Sequence, residues 1–266
     1  MKKRTKNEKK QSARRIPGGL MEFLVAVGIL VLVLVITVCT RSCEIARDSE
    51  SGIFEDTSAP AKNSPTTTVL DPLPAEGITY PLAITEDIVL DQVYTATGYF
   101  PEDGSDEAIE KVLAVKLTNT SAKTLEYLTF TLTVNGESYP FAAATVPGGK
   151  SVYVFNSERK SAPDAVTSLA GEAAIEIYFT QEPSAKTETL SYQVENGTVV
   201  VTNISEKDIQ SDIMVYYKAT AEKGYLGGIT YRFRISGGLA AGKSFSAYAP
   251  HAYAHMTEIM FAQYEE

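Results

Sequence analysis

The densest chemical signal in this 266-residue sequence lies near its C-terminal end, where Gly237, Gly242, Lys243 and Ser244 fill the pattern G-x-x-x-x-G-K-[ST]. Such a loop cradles phosphate when its backbone N–H groups and the N-terminus of a following helix meet the anion, with Lys on the outer phosphates and Ser on magnesium. The continuation here is FSAYAPHAY, rich in β-favouring aromatics and with Pro250 where a helix should run on. A shorter version, Pro147-Gly-Gly-Lys-Ser151, stands earlier without the upstream glycine. The expectation is a β-turn that holds no nucleotide.

Other residue types invite chemistry and meet similar objections. His251 and His255 are the only histidines, four apart, and could share a zinc with Glu258 as an oxygen ligand, but no Cys or third His is near. Ser157 and Lys160 have the spacing of a Ser nucleophile and a Lys base. That chemistry needs one helical turn and companion S-D-N and K-T-G motifs, which the chain lacks. The acidic run at 102–107, with Glu102, Asp103, Asp106 and Glu107, lacks the ligand spacing of an EF-hand and reads as a solvated turn rather than a calcium loop. Tyr216, Tyr217, Tyr225, Tyr231, Tyr248 and Tyr253 could offer an aromatic surface to a glycan or a protein, yet most sit at strand positions that favour sheet packing. The expectation is a non-enzyme with no catalytic, metal-binding or cofactor-binding residues and no cofactor.

What must position these residues begins with an apolar run at 20–38, LMEFLVAVGILVLVLVITV, interrupted only by Glu22 and Thr37. As a helix it would reach about 28 Å, close to the hydrocarbon thickness of a bilayer. A cleaved signal peptide usually has an apolar core of about 7–15 residues. The run 23–38 exceeds that, so a transmembrane helix at 20–40 that stays as an anchor is expected. Residues 1–19 carry eight Lys and Arg against Glu8, a balance of +7, which leaves −16 of the net −9 for the rest. The bias predicts a basic cytoplasmic tail over 1–19, an extracellular C-terminal region and a single pass through the cell membrane. The tail would hold anionic lipid headgroups, and no nucleic acid is needed to explain it. Cys39 and Cys43, the only cysteines, flank the outer end of the span and form no disulfide framework.

Residues 41–81 are rich in Pro, Ser, Thr and acid and read as a disordered stalk. Beyond them the period becomes two. Leu128, Phe130, Leu132 and Val134 alternate with threonines, and Ile229, Tyr231, Phe233 and Ile235 alternate with Thr230, Arg232 and Arg234. Further strands are expected at 88–99, 112–119, 151–156, 173–180, 198–203, 213–218, 243–249 and 258–263. A short helical turn is expected near 163–170, stopped by Gly171.

An internal repeat organises these strands. VKLTNTSAKTL from Val115 aligns with VVVTNISEKDI from Val199, VPGGKSV from Val146 with LAAGKSF from Leu239, and EIYF from Glu176 with EIMF from Glu258. The changing offsets between aligned segments fit a hairpin that is longer in the second copy, where GYLGGITYRFRI adds residues. The fold class expected is mainly β: two tandem antiparallel β-sandwich modules of immunoglobulin-like type, at 82–184 and 185–266.

A strand ending in Asn119 or Asn203, the aromatic strand Met214-Val-Tyr-Tyr-Lys218 and the Gly-Lys-Ser turns resemble the FxLYD-like modules of Gram-positive envelope proteins. That resemblance implies a non-catalytic, exported β-domain. The function expected is therefore presentation of two modules in the cell envelope, with an envelope protein or a wall polymer as partner. Two alternatives stay open: an exported Ser/Lys or metal-dependent hydrolase, and a pilin-like assembly subunit suggested by RRIPGGLMEF. In the latter, Glu22 follows Gly19 by three residues rather than five, and a stalk replaces the long pilin helix.

Overall fold

Alternation decides the backbone: β5 (Leu125–Val134) buries Leu128, Phe130, Leu132 and Val134 while the threonines between them face outward. The computed structural model describes residues 69–99, 107–221 and 223–265, and every regular element among them is a strand. In chain order the others are β1 (Val69–Pro72), β2 (Leu82–Ala83), β3 (Ile88–Tyr99), β4 (Ala108–Asn119), β6 (Glu137–Val146), β7 (Ser151–Phe155) and β8 (Leu169–Tyr178). Next come β9 (Leu190–Glu195), β10 (Thr198–Asn203), β11 (Ile213–Ala221), β12 (Gly224–Ile235), β13 (Ser244–Tyr248) and β14 (Thr257–Gln263). No helix among the described residues is long and apolar enough to cross a membrane. The span expected at 20–40, Cys39, Cys43 and most of the acidic run at 102–107 lie outside the described residues.

Three sheets result. One has the order β1-β3-β4-β7-β12-β11-β14 with β2 also on β3, and two three-stranded sheets run β6-β5-β8 and β13-β10-β9. The order β3-β4-β7 recurs as β9-β10-β13, and β6-β5-β8 recurs as β12-β11-β14. The chain therefore traces the same path twice, as the aligned segments of sequence anticipate. In the first half Leu90, Val115 and Val152 of the large sheet share one core with Leu128, Phe130 and Phe141 of the β6-β5-β8 sheet. In the second half Val199 and Val201 of β10 share a separate core with Ile213, Val215 and Phe233.

The halves join where β12 pairs in parallel with β7, through Tyr225 opposite Val152 and Leu226 opposite Tyr153. The strand making this seam is the second-half counterpart of β6 and is two residues longer, 12 against 10. Its glycines are demanded by contact: a Cβ on Gly224 would stand 2.6 Å from the Ser151 carbonyl oxygen, and one on Gly228 would collide with that of Ala142. Gly228→Ala should therefore force β12 off the first half and cost about 1–3 kcal/mol, measurable as a lower urea midpoint.

Beneath the seam Lys218 of β11 is fully buried. Its Nζ donates to the carbonyl oxygens of Ile229 (2.7 Å), Gly227 (2.9 Å) and, across the seam, Ala144 (3.0 Å). An ammonium has three donors and no acceptor, and all three donors find a carbonyl here.

Two expectations need correction. Residues 69–81, assigned by composition to the stalk, include β1, which pairs with β3, while Leu73, Ile78 and Tyr80 pack on the first core. A few well-placed apolar side chains outweigh a Pro-rich composition when a neighbouring strand supplies the hydrogen bonds. Nor does 163–170 form a helical turn. Val166 is fully buried, its N–H donates to Pro74 O and its carbonyl accepts from Glu76 N, so the segment is tied to the chain entering the first half.

Candidate functional site

Each repeat copy turns a corner on one buried asparagine. Asn203 Nδ2 donates to Lys207 O and Leu239 O, both at 2.8 Å, and its Oδ1 accepts from the Ser205 N–H (3.0 Å) and hydroxyl (2.7 Å). Asn119 makes the same four bonds, to Lys123 O and Val146 O and from the Ser121 N–H and hydroxyl. An Asn side chain can make four hydrogen bonds, and both make four. The motif T-N-x-S-x-K thus encodes a strand end that reaches across to the segment before the Gly-Lys-Ser turn.

That turn disposes of the phosphate-loop string. Lys243 N donates to Ala240 O as Lys150 N does to Pro147 O, and Gly242 and Gly149 occupy the third position with φ of 68° and 71°. Ser244 leads directly into β13, and its hydroxyl meets that of Thr202 at 2.8 Å, as Ser151 meets Thr118 at 2.7 Å. The loop amides are engaged: Gly237 N–H donates to the Asp212 carboxylate, Ala241 N–H to that of Asp208, Leu239 N–H to Ile209 O and Gly242 N–H to Asn203 O. The Gly237 N–H and then the Arg234 guanidinium hold the Asp212 carboxyl below the usual carboxylate range. Two carboxylates stand where a phosphate would need open donors.

Of the other candidate groups, Lys160, His251 and Glu258 are engaged. Lys160 Nζ bonds Glu158 at 2.7 Å and Ser138 O at 2.8 Å, and Ser157 N–H donates to Pro140 O. The pair sits in a non-helical turn after β7. His251 stacks on Tyr231 with ring centroids 4.7 Å apart, His255 lies in a left-handed turn, and Glu258 accepts from the Tyr225 hydroxyl at 3.0 Å. No group of three His, Cys, Asp or Glu among the described residues could hold a metal ion. Glu107, the one described acid of the 102–107 run, pairs with Arg159 at 2.9 Å.

Most of the tyrosines belong to the packing. Tyr216 stacks on Phe261 at 4.1 Å and Tyr217 on Tyr231 at 5.4 Å. Burial pushes the Tyr217 phenol up to about 12 from 10.0, against a hydrogen bond with the His251 backbone that pulls it down. Burial, and then the Glu258 charge, raise that of Tyr225 as well. A raised phenol pKa leaves stability intact below the unfolded value and erodes it as pH climbs from 10 towards 12. The urea midpoint should therefore be flat up to about pH 9 and fall above pH 10, and Tyr217→Phe should reduce the fall.

Tyr248 is the exception, 76% exposed on β13. The repeat aligns Ser244–Tyr248 with Ser151–Phe155, so β13 is the second-half counterpart of β7. Val152 and Val154 are fully buried in the first core and Phe155 nearly so against Ala96, Ile109 and Ala114, whereas Phe245, the counterpart of Val152, is 41% exposed. β13 has β10 on one side and ends its sheet on the other. Because Asn203 N–H donates to Lys243 O and Ala249 N–H to Gly197 O, the ladder alternation turns the amides of Phe245 and Ala247 toward β10. Those of Ser246 and Tyr248 face the open side. The sequence signal for this edge was available in the aligned positions, where Ser-Val-Tyr-Val-Phe of β7 is apolar after its first residue and Ser-Phe-Ser-Ala-Tyr of β13 is not.

Two further surfaces stand out. Tyr127, Ile175 and Ile177 are exposed, with Tyr127 opposite Ile177 on the outer face of β5 and β8. A cleft of about 800 Å³ opens at the Asn203 corner, lined by Lys207, Asp208 and Tyr264. At the equivalent first-half corner Thr124 donates to both oxygens of Glu182, at 2.8 and 2.6 Å. No protein-family model matches the sequence, and no curated protein matches it.

Proposed function

We propose that this chain is a non-catalytic, single-pass protein of the cell envelope, with a cytoplasmic basic tail, a span at 20–40 and two tandem immunoglobulin-like sandwiches displayed outside as FxLYD-like binding modules. The first sandwich begins at β1 rather than at residue 82. The observation that carries the reading is the use made of its chemical side chains. Asp208, Asp212, Lys160 and Glu258 are committed to backbone and phenol groups that hold turns, while β13 keeps an exposed strand edge. A scaffold of this kind recognises proteins or polymers through strand edges and sheet faces rather than turning over a substrate. Membrane lipid is held by the span and tail, and a partner by the modules, without nucleotide or nucleic acid.

A peroxidase fused after Glu266, driven in intact cells with a membrane-impermeant phenol, tests this. Labelling should fall on envelope proteins. No labelling with the impermeant phenol where a permeant one labels cytoplasmic proteins, or covalent capture of Ser157 by a serine-hydrolase probe, would overturn the proposal.

A further inference from the structure

We propose that the open edge of β13 receives an extended strand from a partner protein, running parallel to β13 and carrying a Gly-aromatic-aliphatic-Gly-Gly sequence; this deepens the binding reading above and rests on it. The molecule contains the template. β7, the first-half counterpart of β13, pairs in parallel with Tyr225 and Leu226 of the segment Gly-Tyr-Leu-Gly-Gly at 224–228, opposite Val152 and Tyr153. A glycine opens that strand because the Ser151 carbonyl lies where a Cβ would stand. Ser244 occupies the same turn position before β13.

The composition of the edges points the same way. Sheet edges are normally guarded by charge or proline. Among the described strands that end a sheet, β1 carries Asp71 and Pro72, β6 Glu137 and Pro140, β8 Glu172 and Glu176, β9 Glu195 and β14 Glu258. β13 is Ser-Phe-Ser-Ala-Tyr, with neither; the other described edge without them, β2, is the two residues Leu82–Ala83. Its outward amides at Ser246 and Tyr248 pair with a parallel strand as Tyr153 does with β12, and the exposed Phe245 and Tyr248, on opposite faces of β13, flank the incoming strand.

The occupant is not a second copy. The one strand of this type among the described residues, β12, is consumed in its own seam, and its first-half counterpart β6 lacks the glycine segment.

The probe is a synthetic peptide of residues 223–231, KGYLGGITY, added to the full chain in detergent micelles and followed by residue-resolved hydrogen exchange. Exchange at the Ser246 and Tyr248 amides should slow by about tenfold at saturating peptide. Ser246→Pro removes an outward donor without touching the β10 ladder and should abolish the slowing, while Ser246→Thr should keep it. No slowing at β13, equal slowing in Ser246→Pro, or slowing confined to β7 would overturn the proposal. So would concentration-dependent self-association that Ser246→Pro abolishes, because the occupant would then be another copy of the chain. The peroxidase labelling reads compartment without using this edge, so envelope labelling together with failed peptide binding removes the edge proposal alone.

Discussion

Replacing Lys218 by Met should lower stability by about 4 kcal/mol, the largest single effect expected from any buried polar side chain here. Met nearly matches the volume of Lys, so the packing between β11 and β12 survives and the loss is electrostatic. Three hydrogen bonds from a charged donor disappear, each worth about 1.5–3 kcal/mol, offset in part by the cost of burying the ammonium that Met avoids. The carbonyls of Gly227, Ile229 and Ala144 lose that donor in a place where Lys218 itself has no solvent access. Because one of the three bonds crosses to the first half, the variant should also unfold in two separated urea transitions, the second half melting first. A single transition with a midpoint within about 0.5 kcal/mol of the native chain would show that the seam does not depend on Lys218.

The second large effect is expected in duplicate. Asn119→Ala and Asn203→Ala each delete four hydrogen bonds at a site at most 1% exposed, and each should cost about 3 kcal/mol. The partners and distances nearly coincide in the two copies, so the two costs should agree within about 1 kcal/mol once each half's transition is fitted separately. Asn203→Asp should be at least as damaging as Asn203→Ala, since it turns a carboxylate oxygen toward the carbonyls of Lys207 and Leu239. A cost below about 1 kcal/mol for either alanine variant would mean that the corner is held by its backbone bonds alone, such as Asn203 N–H to Lys243 O.

Much of the fold was legible in particular residues. The alternating Leu128, Phe130, Leu132 and Val134 occur in β5 as expected, and the strands expected at 88–99 and 198–203 match β3 and β10 to the residue. β6 was harder to see, because Pro140 and the run Ala142, Ala143 and Ala144 conceal its alternation. As an edge strand it tolerates a residue without an N–H, and its inward face is carried by Tyr139 and Phe141. β9 was missed because only Leu190 along it is fully buried, leaving half-exposed Tyr192 and Val194 to mark its inner face. The decoy at 237–244 was also legible: a phosphate loop must run on into a helix, and the residues after Ser244 favour a strand.

By itself, then, the sequence determined a β-rich chain built twice on one pattern, with the Asn corner and the Gly-Lys-Ser turn written into each copy, because these are local devices whose partners lie within one repeat. Only the tertiary structure decided that the copies are not equivalent. β7 and β13 occupy aligned positions of the repeat, but β12 pairs with the first and nothing among the described residues pairs with the outer side of the second. Strand pairing between segments some seventy residues apart leaves no period in the sequence, since backbone N–H and C=O groups are the same in every residue. What selects the partner is close approach, here the room that Gly224 and Gly228 leave for the carbonyls of Ser151 and Ala142.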